Sequence, residues 1–421
     1  MTLQTIAQLI MLATLILMIT GRTPIYMTAI TGAAISAIVA GFPLAGGQGM
    51  TVTKMIVSGL NPVIADMTGI LLFIGIMQAT GFLDVIIRDI VRVGNKIGGG
   101  VGVGAAGVIG ALTGFTQPVI TAVITGPAAV RLGVKPNQSA GIIAHAGHIG
   151  NLAGFTHPTQ VAILATAGIG YGLFNVLGLI AAGSIFVMSA IRITIDMKRR
   201  GVKIDAAEKE RILKEIESRE YSTTSWKAFF PFIVLVVGFI AGMPIFLVGL
   251  ASAMATMILA HSKPKEAEAA MMKGVSLIAT PLVATIGFLF MSTVIREIGM
   301  VNTMSTLVSP VMSISPVLVL FGVAFLTGFM TQSYAASVAV LVPFLQVTLQ
   351  AGADPFAAAF AAASGASLIQ YFLTGGPVAA LATVIPVIPG SDLKGANAFQ
   401  RPSILFGCLV AFLITFCLNL L

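Results

Sequence analysis

The sequence predicts an all-α integral membrane protein built from two inverted-topology repeats. Three observations point there: an apolar composition, apolar stretches of bilayer length, and two similar halves that carry polar breaks at corresponding places. Hydrophobic residues make up 57% of the 421 residues and charged residues 9%, against about 25% charged in a soluble domain. A water-exposed surface cannot be covered with so few charges. The apolar residues fall in runs of roughly 17 to 20, the length that crosses a hydrocarbon core of about 30 Å. The period-two alternation of a membrane barrel is absent, which leaves a polytopic helical chain surrounded by lipid bilayer.

The formal charge of +8 sits mostly at the ends of apolar runs. That is the positive-inside pattern of a membrane protein, so no nucleic-acid partner is read from it. Cys408 and Cys417 both fall inside the last apolar run and are expected in the core, with no disulfide framework or thiolate metal site. The first run, Leu3 to Thr20, lacks a basic leader and a small-residue cleavage site, and is expected to stay as a membrane helix.

One stretch is hydrophilic. Residues 196–227 mix acids and bases at helical spacing, which predicts an amphipathic linker between the halves. Lys198, Arg199, Arg200 and Lys203 follow directly on the preceding apolar run and place this linker in the cytoplasm. Counting outward, residues 1–195 form the first repeat, with a re-entrant hairpin near 97–131 and a broken helix near 138–172. Residues 228–421 form the second, with a hairpin near 312–350 and a broken helix near 355–388. Each hairpin begins and ends on one side of the membrane with a polar break between, and each half makes five crossings. An odd number of crossings per half inverts the two halves and puts both termini outside a bacterial cytoplasmic (inner) membrane.

The halves resemble each other in sequence. Leu112-Thr113-Gly114-Phe115 recurs as Leu326-Thr327-Gly328-Phe329, an offset of 214 (326 minus 112). Val161 to Thr166 is echoed by Val378 to Thr383, an offset of 217 (378 minus 161).

The polar breaks carry the functional reading. They are TGFTQP at Thr113 to Pro118, GFTHPTQ at Gly154 to Gln160, TGFMTQS at Thr327 to Ser333 and TGGP at Thr374 to Pro377. Paired breaks in inverted halves mark a transporter's binding site, where freed amides hold an anion and freed carbonyls a cation. The candidate binding residues are therefore Thr113, Thr116, Gln117, Asn151, Thr156, His157, Thr159, Thr327, Thr331, Gln332, Ser333, Thr374, Gly375 and Gly376. Gln117 and Gln332 are expected to face each other near mid-membrane. The alternative is that Gly, Pro, Thr and Gln only permit kinks and close packing.

His145, His148 and His157 cluster near the first broken helix and are candidates for ion coupling, with a hydrogen-bonded packing role as the alternative. No carboxylate or cysteine joins them at ligand spacing, so no metal is expected. Asp66, Asp84, Arg88, Arg296 and Glu297 are read as interfacial, which leaves few buried acids for a multi-site proton pump. Gly98 to Gly107 lacks the Lys-Ser/Thr ending of a phosphate-binding loop, and no Ser, His and acid set has a nucleophile's context. Neither an ATP-driven pump nor an enzyme is indicated, and no cofactor beyond a coupling ion.

At GFTQPVITAVITGPAAVRLGVKP, the alanine-rich helix after it, and the second-half counterpart, the chain resembles the ion-transporter superfamily. The nearest branches are the lactate permease, gluconate permease and C4-dicarboxylate carriers. The resemblance implies a scaffold with mobile hairpin domains, homodimerisation, and small organic anions moved with protons or sodium. It maps the hairpin tips to Thr113 to Pro118 and Thr327 to Ser333, and the helix breaks to Thr156 to Gln160 and Thr374 to Pro377. The tips here read Thr-Gln where sodium-coupled dicarboxylate relatives read Ser-Asn-Thr, and they carry no basic residue. The expectation is symport of a small monocarboxylate; the alternatives are a cation/proton antiporter and a non-transporting membrane subunit.

Overall fold

A computed structural model describes residues 2–20, 23–46, 48–58, 62–113, 118–154, 157–217, 221–241, 243–276, 279–373, 381 and 384–420. The first half holds α1 (Leu3–Thr20), α2 (Ile25–Val39), α3 (Val52–Ser58), α4 (Pro62–Ala79), α5 (Phe82–Thr113), α6 (Pro118–Arg131), α7 (Pro136–Ile143), α8 (His145–Ala153), α9 (Pro158–Ala167) and α10 (Leu173–Arg199). The linker carries α11 (Ala206–Glu217). The second half holds α12 (Ser225–Ile240), α13 (Ile245–Leu259), α14 (Pro264–Ser276), α15 (Ala279–Glu297), α16 (Met300–Met312), α17 (Pro316–Thr331), α18 (Tyr334–Gln350), α19 (Pro355–Ile369) and, after a 3₁₀ turn at Ile385–Val387, α20 (Leu393–Leu420). Proline opens α4, α6, α7, α9, α14, α17 and α19. Its fixed φ suits the first helical turn and its missing N–H costs nothing there.

The halves match element by element. Ile25 and Ile245 start equivalent helices, as do Leu173 and Leu393, both at an offset of 220 (245 minus 25, 393 minus 173). Gly81 and Gly299, with φ of 72° and 71°, sit at equivalent bends. There α4 turns 80° into the first arm of α5, and α15 turns 72° into α16. Only glycine takes this left-handed backbone without strain. The arm after Gly81 carries Arg88, Arg92 and Lys96 and leads to a second turn at Gly99, where φ is 55°. This arrangement fits a helix lying along the membrane surface rather than through it.

Packing partners are exchanged between the halves. First-half α4 lies against α13 and α14, while second-half α15 lies against α2 and α3. Helices α10 and α20, equivalent to each other, pack together. A two-fold relation produces this pattern. The crossings are close because small residues let backbones touch. A Cβ on Gly249 would stand 2.4 Å from the carbonyl carbon of Gly69, and one on Gly274 would stand 2.2 Å from the Leu71 carbonyl oxygen. The glycine-rich run before the first tip works likewise, with Gly100 against Leu132 and Val134 and Gly107 against Thr125.

Outward-facing apolar side chains on α1, α10 and α20, among them Leu9, Ile180, Val187, Leu409 and Leu413, are roughly half exposed. Such a belt belongs in lipid. The chain is an all-α, multi-pass membrane protein with re-entrant elements.

Two details differ from the sequence reading. Cys408 is buried as expected, but Cys417 is exposed on the outer face of α20, because a helix 28 residues long presents one side to lipid. The hydrophilic stretch is not one helix, since α10 runs on to Arg199, α11 begins at Ala206 and α12 begins at Ser225.

The linker is bonded to the base of the first hairpin. Arg131 pairs with Glu208 at 3.2 Å and Glu215 at 2.8 Å. Asn95 donates to the Lys209 carbonyl at 3.0 Å, and Ile212 is buried. Between the halves, Asn137 donates to the Asp392 carboxylate at 2.8 Å and accepts from its backbone N–H at 2.7 Å. The Gly395 N–H and the Asn137 amide hold the Asp392 carboxyl below the usual carboxylate range.

The close crossings give a stability test. Gly249→Val should destabilise the purified protein by about 1–3 kcal/mol or more, since backbone must move to admit the side chain. Gly183→Val, at a glycine whose added Cβ would meet nothing within 4 Å, should leave thermal unfolding in detergent unchanged. Equal melting temperatures for the two variants would contradict the α4–α13 crossing.

Candidate functional site

The first broken helix separates its two ends chemically. After α8 ends, Gly154 and His157 are extended, and α9 restarts at Pro158. Carbonyls freed at the end of α8 are taken up by side-chain amides. Gln160 donates to the Leu152 carbonyl at 3.1 Å, and Asn175 donates to those of Ala153 at 2.9 Å and Gly154 at 3.1 Å. The amino end of α9 has no side-chain cap. A closed carboxyl end beside an open amino end favours a negative ligand.

The second hairpin turns tightly. Helix α17 runs on through Thr331, and the reversal takes only Gln332 and Ser333, where the sequence reading expects a break from Thr327 to Ser333. The reason lies in the threonines. Thr327 donates to the Val323 carbonyl at 2.7 Å and Thr331 to the Thr327 carbonyl at 2.8 Å, so both hydroxyls are satisfied within the helix. Thr327 is thereby a helix residue rather than part of the turn. Ser333 caps α18 by accepting from the Ala336 N–H at 3.2 Å. Gln332 has φ of 50°, a left-handed conformation that costs a non-glycine residue about 1–2 kcal/mol.

These two structures meet, one from each half. Thr159, at the start of α9, donates to the Tyr334 carbonyl at 3.1 Å, and the His157 and Tyr334 rings lie 4.6 Å apart. Tyr334 opens α18, and its N–H donates to Gln370 Oε1 at 2.7 Å, at the end of α19. Two helix amino ends and the end of the second broken helix therefore come together. Around them Gln332 Oε1, the Tyr334 hydroxyl, His157 Nδ1 and Gln160 Oε1 are buried with no hydrogen-bond partner among the described residues. Buried polar atoms rarely stay unpaired, so these four, on residues at or beside the Thr159–Tyr334 contact, are candidates to meet a ligand or water; others, such as Ser36 Oγ and Ser252 Oγ, lie elsewhere.

Asn151 donates to the Tyr371 hydroxyl at 2.8 Å, and the His148 ring lies 4.4 Å from the Tyr371 ring. His145 and His148 are buried and touch through their Nδ1 atoms at 3.4 Å. Asp66 accepts from the Phe246 N–H at 3.0 Å, at the start of α13.

Of the residues singled out from the sequence, the structure brings together His157, Thr159, Gln332 and Ser333, and places Asn151, His148 and His145 in the adjoining helix. Thr116, Gln117, Thr156, Thr374, Gly375 and Gly376 lie outside the described residues, and Thr113 is described only as the last residue of α5. The facing of Gln117 and Gln332 lies outside them too. The sequence reading missed Tyr334, Gln370, Tyr371, Gln160 and Asn175. It also missed Arg401, which donates to the Phe372 carbonyl at 3.0 Å and to Asn397 at 3.1 Å, bringing a positive charge to the second break. One signal was available. At the offset of 219 between the starts of α7 and α19 (355 minus 136), His145, His148 and Asn151 coincide with Ser364, Ser367 and Gln370. Each set is a polar stripe at i, i+3 and i+6, running down one helix face to the break.

No protein-family model matches the chain, and no curated protein matches it in sequence. Solved structures do. The YdaH transporter of Alcanivorax borkumensis is similar over 97% of this chain and 97% of its own, at a TM-score of 0.61 and 14% identity. MtrF of Neisseria gonorrhoeae, described with a class of antimetabolite efflux pumps, is similar over 94% of this chain and 95% of its own, at a TM-score of 0.61 and 13% identity. At such identity the likeness is one of fold. The lactate permease, gluconate permease and C4-dicarboxylate branches are not represented in these two.

The geometry separates strain from function at Gln332. Gln332→Gly should raise stability by up to about 1 kcal/mol, because glycine adopts this backbone freely. Asn175→Ala should lower it by about 1–3 kcal/mol, since two buried carbonyls lose their donor. Thermal unfolding in detergent reads both, and a destabilised Gln332→Gly would mean that the side chain holds the turn together.

Proposed function

We propose that the protein is a secondary active transporter that carries a small organic carboxylate across the cytoplasmic membrane by alternating access, coupled to protons or sodium. One observation carries this reading: the uncapped start of α9 and the start of α18 converge on buried, unpartnered polar atoms. The carboxylate would lie over these amino ends, with the Tyr334 hydroxyl as donor, and Arg401 would supply the balancing charge at the second break. Neutral side chains dominate the site, which suits a monoanion. The exchanged packing of the halves supports the expected inverted repeats, which alternating access can use by rocking one group of helices against the other. The neighbours of like fold are described as transporters. In this reading the linker is cytoplasmic, both termini are external, and the protein works as a homodimer.

Uptake of labelled lactate, gluconate and succinate into proteoliposomes, and their release from them, should show transport of at least one anion under a proton or sodium gradient. Gln332→Gly and Tyr334→Phe should weaken apparent affinity roughly tenfold, the loss of one hydrogen bond to a charged partner. Cation exchange with no anion movement would favour the antiporter instead. For orientation, Arg131→Cys and Asp354→Cys should label from opposite sides of the membrane; labelling from one side would rule out the inverted arrangement.

A further inference from the structure

We infer that the coupling ion is a proton and that it is held between His145 and His148, where α8 packs against α10 and the neighbouring α7 packs against α20. This rests on the transport reading above and deepens it. The two rings touch through Nδ1 atoms at 3.4 Å, and His145 Nε2 lies 2.7 Å from the Ser189 hydroxyl. Ser189 donates to Ser403 at 2.8 Å, and Arg192 donates to Ser403 at 3.3 Å and to the Phe399 carbonyl. Gln400 donates to the Gly141 carbonyl at 2.8 Å and approaches His145 Nδ1 at 3.5 Å. On the other side His148 meets Tyr371, which bonds Asn151 at the last turn before the break. Hydrogen bonds thus link His145 to Arg192, near the end of α10 that leads into the linker, and ring contact joins His148 to Tyr371, which follows Gln370 of the candidate anion site.

The chemistry favours a proton over sodium. Sodium needs several oxygen ligands, and the carbonyls freed at the end of α8 are already bonded to Gln160 and Asn175. Two neutral imidazoles instead carry two protons on four ring nitrogens, with one N–H between the Nδ1 atoms. When His145 holds that proton, its Nε2 accepts from the Ser189 hydroxyl, which has turned to it from Ser403. Ser189 then passes its proton to His145 Nε2 and takes one from Ser403, which in turn takes one from a hydronium ion supplied by the bulk solution. His145 passes its Nδ1 proton to His148 Nδ1, and His148 becomes the imidazolium. No bond other than N–H and O–H is made or broken.

The groups facing the pair explain coupling. Ser189 and Arg192 face it from α10, Gln400 and Ser403 from α20, Tyr371 from the end of α19, and Asn151 lies one turn along α8. The charged member of this set is a cation. An imidazolium enclosed there lacks a counter-charge, and a buried unpaired charge is expensive. An anion arriving at the starts of α9 and α18 supplies it. Proton and anion then bind best together, and by linkage each raises the affinity of the other.

The test uses full-length protein in sodium-free proteoliposomes holding a pH-sensitive dye, with lactate, gluconate and succinate as probes. Wild type should acidify the lumen as it takes up the transported anion, and its apparent KM should rise with pH, because the protonated form binds. His148→Gln should abolish acidification and flatten the pH profile at an affinity at least tenfold weaker, with unchanged thermal unfolding. His145→Gln, whose amide can still meet Ser189, gives the same test if His148→Gln does not fold. Ser189→Ala, which removes the relay hydroxyl but leaves both imidazoles, should slow net uptake while keeping the pH profile of KM. Sodium-dependent uptake by wild type, or normal proton flux in both glutamine variants, would overturn this inference alone. If none of the anions moves in wild type, the transport reading fails and this inference falls with it.

Discussion

Everything in this fold depends on where backbone polar groups go inside the membrane. A continuous helix satisfies its own, and any break leaves amides and carbonyls that lipid cannot bond. At the first break the chain answers unequally. Gln160 and Asn175 close the carboxyl end of α8, while α9 begins without a side-chain cap. At the second hairpin Ser333 and Gln370 meet two amides of α18, yet the neighbouring Gln332 amide oxygen and Tyr334 hydroxyl stay unpaired. The carbonyls freed at the first break are satisfied, while Gln160, His157, Gln332 and Tyr334, at or beside the meeting of the two breaks, each keep an unpaired buried atom.

That meeting place is assembled from both halves, and the small-residue crossings make the assembly possible. Gly69 against Gly249 and Gly75 against Gly274 bring α4 onto α13 and α14, so each half is completed by helices of the other. The same logic recurs beside the site, where Gly328 meets the backbone of Ala366 and Gly178 that of Leu152. Without side chains to keep helices apart, the broken helix of one half reaches the hairpin of the other, and Thr159 can bond Tyr334 across the junction.

Much of this was legible in the sequence. Apolar length and composition gave a multi-pass helical membrane chain, and the second Thr-Gly-Phe fell just before the turn between α17 and α18. Period and composition act within one helix, and they read those features well. They say little about which hydroxyl bonds its own helix and which faces a partner. Thr327 and Thr331 look like site residues in the sequence because they flank the tip, but their hydroxyls return to carbonyls four residues back. Tyr334, Gln370 and Arg401 matter through contacts with distant parts of the chain, which local patterns do not encode. Cys417 was misplaced for a related reason, since an all-apolar helix hides which face meets lipid.

The two-fold relation has one clear exception, and it bears on how the halves can work. The hydrophilic linker exists once. It ties the base of the first hairpin through Arg131 to Glu208 and Glu215, and through Asn95 to the Lys209 carbonyl, while Arg200 donates to the Gly133 carbonyl at 2.8 Å. Exposed ion pairs of this kind contribute little singly, but with Ile212 buried beneath them they fix the hairpin's base to the chain that leads into the second half. The equivalent base of the second hairpin is bonded instead to membrane helices, where Ser315 donates to Asn419 of α20 at 3.0 Å and Gln350 donates to Asn302 of α16 at 3.0 Å. Sequence repetition makes the halves alike in fold, and the linker makes them unequal in constraint. Motion that exchanges the two sides of the membrane would therefore cost the hairpins different amounts.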